Sequence, residues 1–175
     1  MFNTIAAIGT IALQLGIVAL IIGWIAKVPF VATIAKHAGI ILAVIFSAAT
    51  LMSFIYQYGF GYEPCLLCWY QRILIIPIAI LAWTADLKTN KLFQNQLLTL
   101  SIIGFAIALF HVYIDVFPTG LDVCGATGVS CLVRYVYEFG YITIPVMSAT
   151  VLGAGIVLIL LAKRYPHNTI GGSIQ

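Results

Sequence analysis

The chain has 175 residues, 63% of them hydrophobic and 7% charged, with a formal net charge of +3, where soluble domains carry about 25% charged residues. This excludes a water-soluble globule, which could not hide so much apolar surface, and it excludes a disordered chain. The eight Lys and Arg, scattered along the sequence, form no basic stripe, so no nucleic-acid partner is expected.

Five stretches reach the roughly 20 apolar residues that a helix needs to cross a bilayer. The alternating pattern of a closed barrel is absent, and lipid then permits only helices. The predicted fold class is all-α, a polytopic helical bundle in membrane lipid, with residues 1–175 forming one integral membrane domain. The first span covers 5–26. Residues 1–4 contain no Lys or Arg, so the basic start of a signal peptide is missing and this helix is expected to be retained. The second span, 38–58, follows a short link, which favours an antiparallel neighbour. The third, 66–85, opens beside a Cys-x2-Cys and carries Arg72 within it. The fourth, 97–117, contains His111, and the fifth, 142–162, follows a loop at 118–141 that holds the other two cysteines.

Lys27, Lys36, Lys88, Lys91, Lys163 and Arg164 all flank what would be the same side of this bundle. The positive-inside rule assigns that side to the cytoplasm of a cell membrane. The N-terminus is then outside, the C-terminus inside, and all four cysteines face the extracytoplasmic compartment.

That compartment permits disulfides. Four cysteines admit three complete pairings. The expected resting state pairs Cys65 with Cys68 and Cys124 with Cys131, with the cross-loop pairings available as intermediates. As a structural staple, a Cys-x2-Cys bridge restrains little, because its loop is very small. A four-cysteine zinc site would suit two short knuckles better than the Cys-x6-Cys spacing of the second couple. Redox exchange fits both the residues and their side of the membrane.

Pro64 suits the first turn of a helix, and a helix N-terminus favours thiolate over thiol in Cys65 and Cys68. Arg72 follows Cys68 by four residues, on the same face and about 6 Å deeper along the axis. An arginine inside a span is expensive and points to function. Here it would stabilise a Cys68 thiolate and attract the carbonyl oxygen of an electron acceptor, although a cation near a helix end can also snorkel to the headgroups. Around Cys124, the residues Gly120, Gly125 and Gly128 make a loop able to present a disulfide to a protein and swing a thiol toward the first couple. Residues 132–139 mix apolar and aromatic side chains with Arg134 and Glu138, which suits either the membrane surface or an interface belt. Glu63 and Asp115 are expected to be solvated, Pro77 to be tolerated within its bundle, and Gly153 and Gly155 to allow close packing.

Residues 64–72, PCLLCWYQR, resemble the DsbB family of disulfide bond formation membrane proteins. Residues 129–148, VSCLVRYVYEFGYITIPVMS, are similar to the family's BdbC branch from Gram-positive bacteria. The resemblance runs from about residue 38 to the end of the fifth span and implies a four-helix core, to which this chain adds span 5–26. It implies a membrane thiol:quinone oxidoreductase that reoxidises an extracytoplasmic thioredoxin-like thiol oxidase of the DsbA or BdbD type. Electrons would pass through two disulfide couples to a quinone, menaquinone or ubiquinone. Carried onto this chain, the catalytic residues are Cys65, Cys68, Cys124 and Cys131. Cys124 meets the partner, Cys65 exchanges with the loop couple and Cys68, with Arg72 over it, faces the quinone. From the residues themselves, His111 inside the fourth span could donate a hydrogen bond or proton to the quinone or bond a neighbouring helix, and Gln71, adjoining the motif, could line the same pocket. An ordinary structural disulfide below about −300 mV could not reoxidise a partner near −120 mV, so an external acceptor is required. Two other readings are an enzyme like vitamin K epoxide reductase, and a transporter or non-enzymatic subunit with structural disulfides. The Cys68-to-Arg72 spacing disfavours the former. The gathering of polar groups at one edge, rather than at the midplane, disfavours the latter.

Overall fold

The computed structural model describes residues 1–84, 90–117 and 129–165. Six α-helices account for most of them: α1 (Phe2–Ile25), α2 (Pro29–Lys36), α3 (Ala38–Phe54), α4 (Leu66–Thr84), α5 (Lys91–Val116) and α6 (Ile144–Arg164). A π-helical turn, Ile55–Gly59, prolongs α3. Among the described residues no strand forms, and the one bridge joins Glu138 to Ile142. Five helices are long and apolar enough to cross a membrane, so this is a multi-pass membrane protein.

The largest departures from the expected spans have local reasons. The link after α1 contains α2, which starts at Pro29, where a missing N–H costs nothing. α1 itself stops by a Schellman motif: Val28 N–H donates to the Gly23 carbonyl and Lys27 N–H to that of Trp24. Lys27 takes the left-handed conformation that glycine usually supplies (φ 57°), so the stop carried no sequence signal. α5 begins six residues before the predicted 97, because the Asn90 side chain caps it, accepting from the N–H groups of Leu92 and Phe93. α4 runs unbroken through Pro77.

The core is centred on α6, half of whose span is buried, against 11% for α1. Phe46, Leu42, Ile78, Leu97, Leu152 and Ile159 are fully enclosed. Lipid tails are as apolar as leucine, so close fit rather than water exclusion must hold these helices together. Gly155 shows how: a Cβ there would come within 2.8 Å of the Phe46 ring. Gly104 likewise makes room for Leu152, whereas Gly153 leaves ordinary contact distance to Phe105. α1 lies along α6 and is pinned by Gln14, whose amide donates to Thr150 Oγ1 (3.0 Å) and accepts from the Tyr141 hydroxyl (2.8 Å).

Candidate functional site

The Cys65 carbonyl accepts from Trp69 N–H, which puts Cys65 immediately before the first turn of α4. Its thiol is buried, Cys68 is half-buried, and both are free. The two sulfurs lie 3.1 Å apart and share a proton. The expected resting disulfide is thus a dithiol here, while Cys131 is disulfide-bonded. Its partner is neither Cys65 nor Cys68, and Cys124 lies outside the described residues. The hydrogen bond from Cys68 is the main reason that Cys65 is pulled from the ordinary thiol range down to about 4, against burial and with further help from His111.

Arg72 is buried on the next turn of α4. It does not snorkel. Nε donates to Ser53 Oγ (2.5 Å), one terminal nitrogen to the Ser53 carbonyl (2.8 Å), and the other to the Gln57 side-chain oxygen. The guanidinium also lies over the rings of Trp69 (5.3 Å) and Phe54 (5.6 Å). All these partners are neutral. Among the described residues the one ion pair is elsewhere, so the Arg72 charge is positioned but not cancelled. Ser53 and Gln57 escaped the sequence reading. Their signal was weak: two polar residues four apart near the end of an apolar span, facing one way on a helix.

His111 and Gln71 are both 3% exposed, and they meet. The Gln71 amide donates to His111 Nδ1 (3.3 Å), which leaves Nε2 as the protonated nitrogen. Nε2 reaches the Cys131 carbonyl (3.3 Å) and lies 3.8 Å from Cys65 Sγ. His111 therefore stands between Cys65 and Cys131. The ligand atoms of Cys65, His111 and Cys131 all fall within 4.8 Å of one another. A disulfide-bonded Cys131 is no thiolate ligand, so the trio offers a metal two donors at most.

Asp115, expected to be solvated, is buried and ion-paired with Arg134. Residues 132–139 form no surface helix. Arg134 ties them to the end of α5, Tyr135 stacks on Tyr62 (centroids 4.7 Å apart), and Val136 is fully enclosed, while Val133, Tyr137 and Phe139 stay exposed. The segment is a clamp that holds Cys131 over α4. Glu63 is exposed, as the sequence suggested. Beside the sulfurs lies a cavity of about 600 Å³. Cys68, Gln71, Arg72 and His111 line one end of it, and its remaining walls are mostly apolar.

A family model described as disulfide bond formation protein DsbB matches residues 35–162. The chain is 34% identical over 119 residues to a "Probable disulfide formation protein" of Chlamydia pneumoniae, covering 67% of this chain and 85% of the relative. Identity to the "SPbeta prophage-derived disulfide bond formation protein B" of Bacillus subtilis is 35% over 123 residues, 68% of this chain and 83% of the other. A "Probable disulfide formation protein C" of Halalkalibacterium halodurans is 38% identical over 90 residues, 51% and 66% of the two chains. No solved structure gives a significant match. The family match takes in both cysteine couples, Arg72 and His111, and leaves α1 outside. With its helical membrane bundle and its paired cysteines, this chain belongs to the DsbB family of disulfide bond formation proteins.

Proposed function

We propose that this protein is a thiol:quinone oxidoreductase of the cell membrane, acting as one integral domain, that reoxidises a thioredoxin-like thiol oxidase of the DsbA or BdbD type. One observation carries the reading: the sulfurs of Cys65 and Cys131, 66 positions apart in sequence, lie within 4.8 Å beside a cavity that Cys68 and Arg72 line. Topology supports it too, since the positive-inside rule puts both couples outside the cytoplasm.

A partner thiolate attacks Cys124 of a Cys124–Cys131 disulfide, and Cys131 leaves as a thiolate. Cys131 attacks Cys65 of a Cys65–Cys68 disulfide, and Cys68 leaves in turn. The partner's second thiol releases the partner as a disulfide, Cys124 then recaptures Cys131, and the electron pair rests on Cys65 and Cys68. A dithiol at Cys65 and Cys68 with a disulfide at Cys131 is the species that stage requires.

A quinone, when bound, supplies the acceptor for two electrons and two protons. The cavity suits such a molecule, being apolar along most of its walls and polar at the sulfur end. Arg72 holds a positive charge, not cancelled by a carboxylate, one turn from Cys68, where it can attract the carbonyl oxygen of the acceptor. His111 Nε2 carries a proton within reach of Cys65, and Gln71 fixes its tautomer.

Purified protein mixed with a reduced thioredoxin-like dithiol protein and a quinone tests this. The expected result is one quinone reduced per disulfide formed. Disulfide formation that consumes no quinone, or no oxidation of the dithiol protein, would overturn the proposal.

A further inference from the structure

The helix outside the family match is part of the cavity wall. α1 packs along α6 rather than along α3. Between α1 and α3 the cavity is lined by Ala6, Gly9 and Leu13 on one side and by Ile45, Ala49 and Met52 on the other. Ala6, Gly9 and Leu13 fall on one helical face, and over about 10 Å of helical rise both walls are apolar except at Thr10, whose hydroxyl donates to the Ala6 carbonyl. The cysteine end of this gap is shut by aromatic contacts: Phe2 of α1 packs edge-on against Tyr56 (5.7 Å) and against Phe60 (5.0 Å). Below that seal the two helices stand apart, and Gly9 remains exposed although it lines the cavity. A Cβ built on Gly9 meets nothing within 4 Å. Cys68 and Arg72 line the cavity from α4, and Arg72 is tied to Ser53 of α3, one residue beyond Met52.

We propose that α1 and α3 frame a lateral portal holding the long isoprenoid chain of the quinone, with its ring toward Cys68 and Arg72. The proposal rests on the quinone reading above. A molecule with a polar head and a long apolar tail matches the division of the lining. The tail needs a route to lipid, and the gap between α1 and α3 is mostly apolar on both sides. α1 then contributes to the selection of quinones by tail, a determinant that the matched core, residues 35–162, does not contain.

Gly9→Leu tests the portal, because the new side chain enters open space instead of displacing protein atoms. Ala6→Leu, from the same face, gives an independent reading. Gly16→Leu is the control: that glycine also has open space around it but does not line the cavity. Steady-state quinone reduction is measured with a long-chain isoprenoid quinone and with a tail-less one. For Gly9→Leu and Ala6→Leu, the ratio of KM for long-chain over tail-less quinone is expected to rise at least tenfold. Gly16→Leu should leave the ratio at the wild-type value. An unchanged ratio in both cavity variants would overturn the portal, as would the same rise in Gly16→Leu. If the unaltered protein reduces neither quinone, the thiol:quinone reading itself fails, and the two failures are thereby distinguished.

Discussion

Arg134 Nε donates to the Asp115 carboxylate at 2.6 Å, and a second guanidinium nitrogen donates to the Asp115 backbone carbonyl. The carboxylate is 5% exposed. Asp115 lies one turn beyond His111 on α5, and Arg134 lies three residues beyond Cys131. One ion pair therefore registers the segment carrying Cys131 against the helix carrying His111.

Removing Arg134 would leave a buried carboxylate unpaired and free the Cys131 segment. Arg134→Ala is expected to slow formation of a Cys65–Cys131 disulfide at least tenfold, measured by acid quenching and mass spectrometry. Arg134→Lys restores part of the rate, since lysine keeps the charge but loses the fork that reaches both Asp115 oxygens. A wild-type rate in Arg134→Ala would show that the ion pair does not position the exchange.

The Cys68 hydrogen bond, with help from His111, holds Cys65 well below the ordinary thiol range, so its thiolate persists to lower pH than that of a free cysteine and is lost only as pH falls through the lowered midpoint. Its alkylation by iodoacetamide, followed by mass spectrometry, should be flat from pH 5 to 8. An ordinary thiol near 8.5 would lose about tenfold per pH unit over that range. His111→Ala removes one of the lowering influences, so the midpoint should move upward. A tenfold loss per unit in the unaltered protein would contradict the lowered value.

Arg72→Ala strips the donors from Ser53 and Gln57 and removes the positive charge beside Cys68. The quinone KM is expected to rise about tenfold or more, with Arg72→Lys intermediate. Ser53 and Gln57, both half-buried, also lose the donors that tie the end of α3 to α4, so thermal inactivation in detergent should come earlier. An unchanged KM would place Arg72 outside the quinone site.

The cysteines separate by role. Cys65→Ser and Cys68→Ser should abolish quinone turnover while the protein still inserts in the membrane. Cys124→Ser should stop oxidation of the dithiol partner yet leave the Cys65–Cys68 dithiol oxidisable by quinone. Partner oxidation at the wild-type rate in Cys124→Ser would make the loop couple structural.

Much of this protein follows from composition alone. An apolar chain with long unbroken runs, and none of the alternation of barrel strands, can satisfy its backbone in lipid only as helices. The five spans, and the gathering of Cys65 and Cys131 at one end, come from that constraint. Arg72 was legible because a lone charge inside a span is costly and its spacing from Cys68 is helical. Asp115 was misread as solvated, and Ser53 and Gln57 were missed, for a common reason. Their roles depend on how each helix is rotated about its axis. A helix apolar on every side has no stripe to announce that rotation. Interlocking at Gly155 and Gly104, the clasp of Gln14 on Thr150 and the pairing of Arg134 with Asp115 set it instead. Hydrophobicity thus determined what crosses the membrane, and only side-chain fit between helices decided that His111 stands between Cys65 and Cys131 and that α1 borders the cavity.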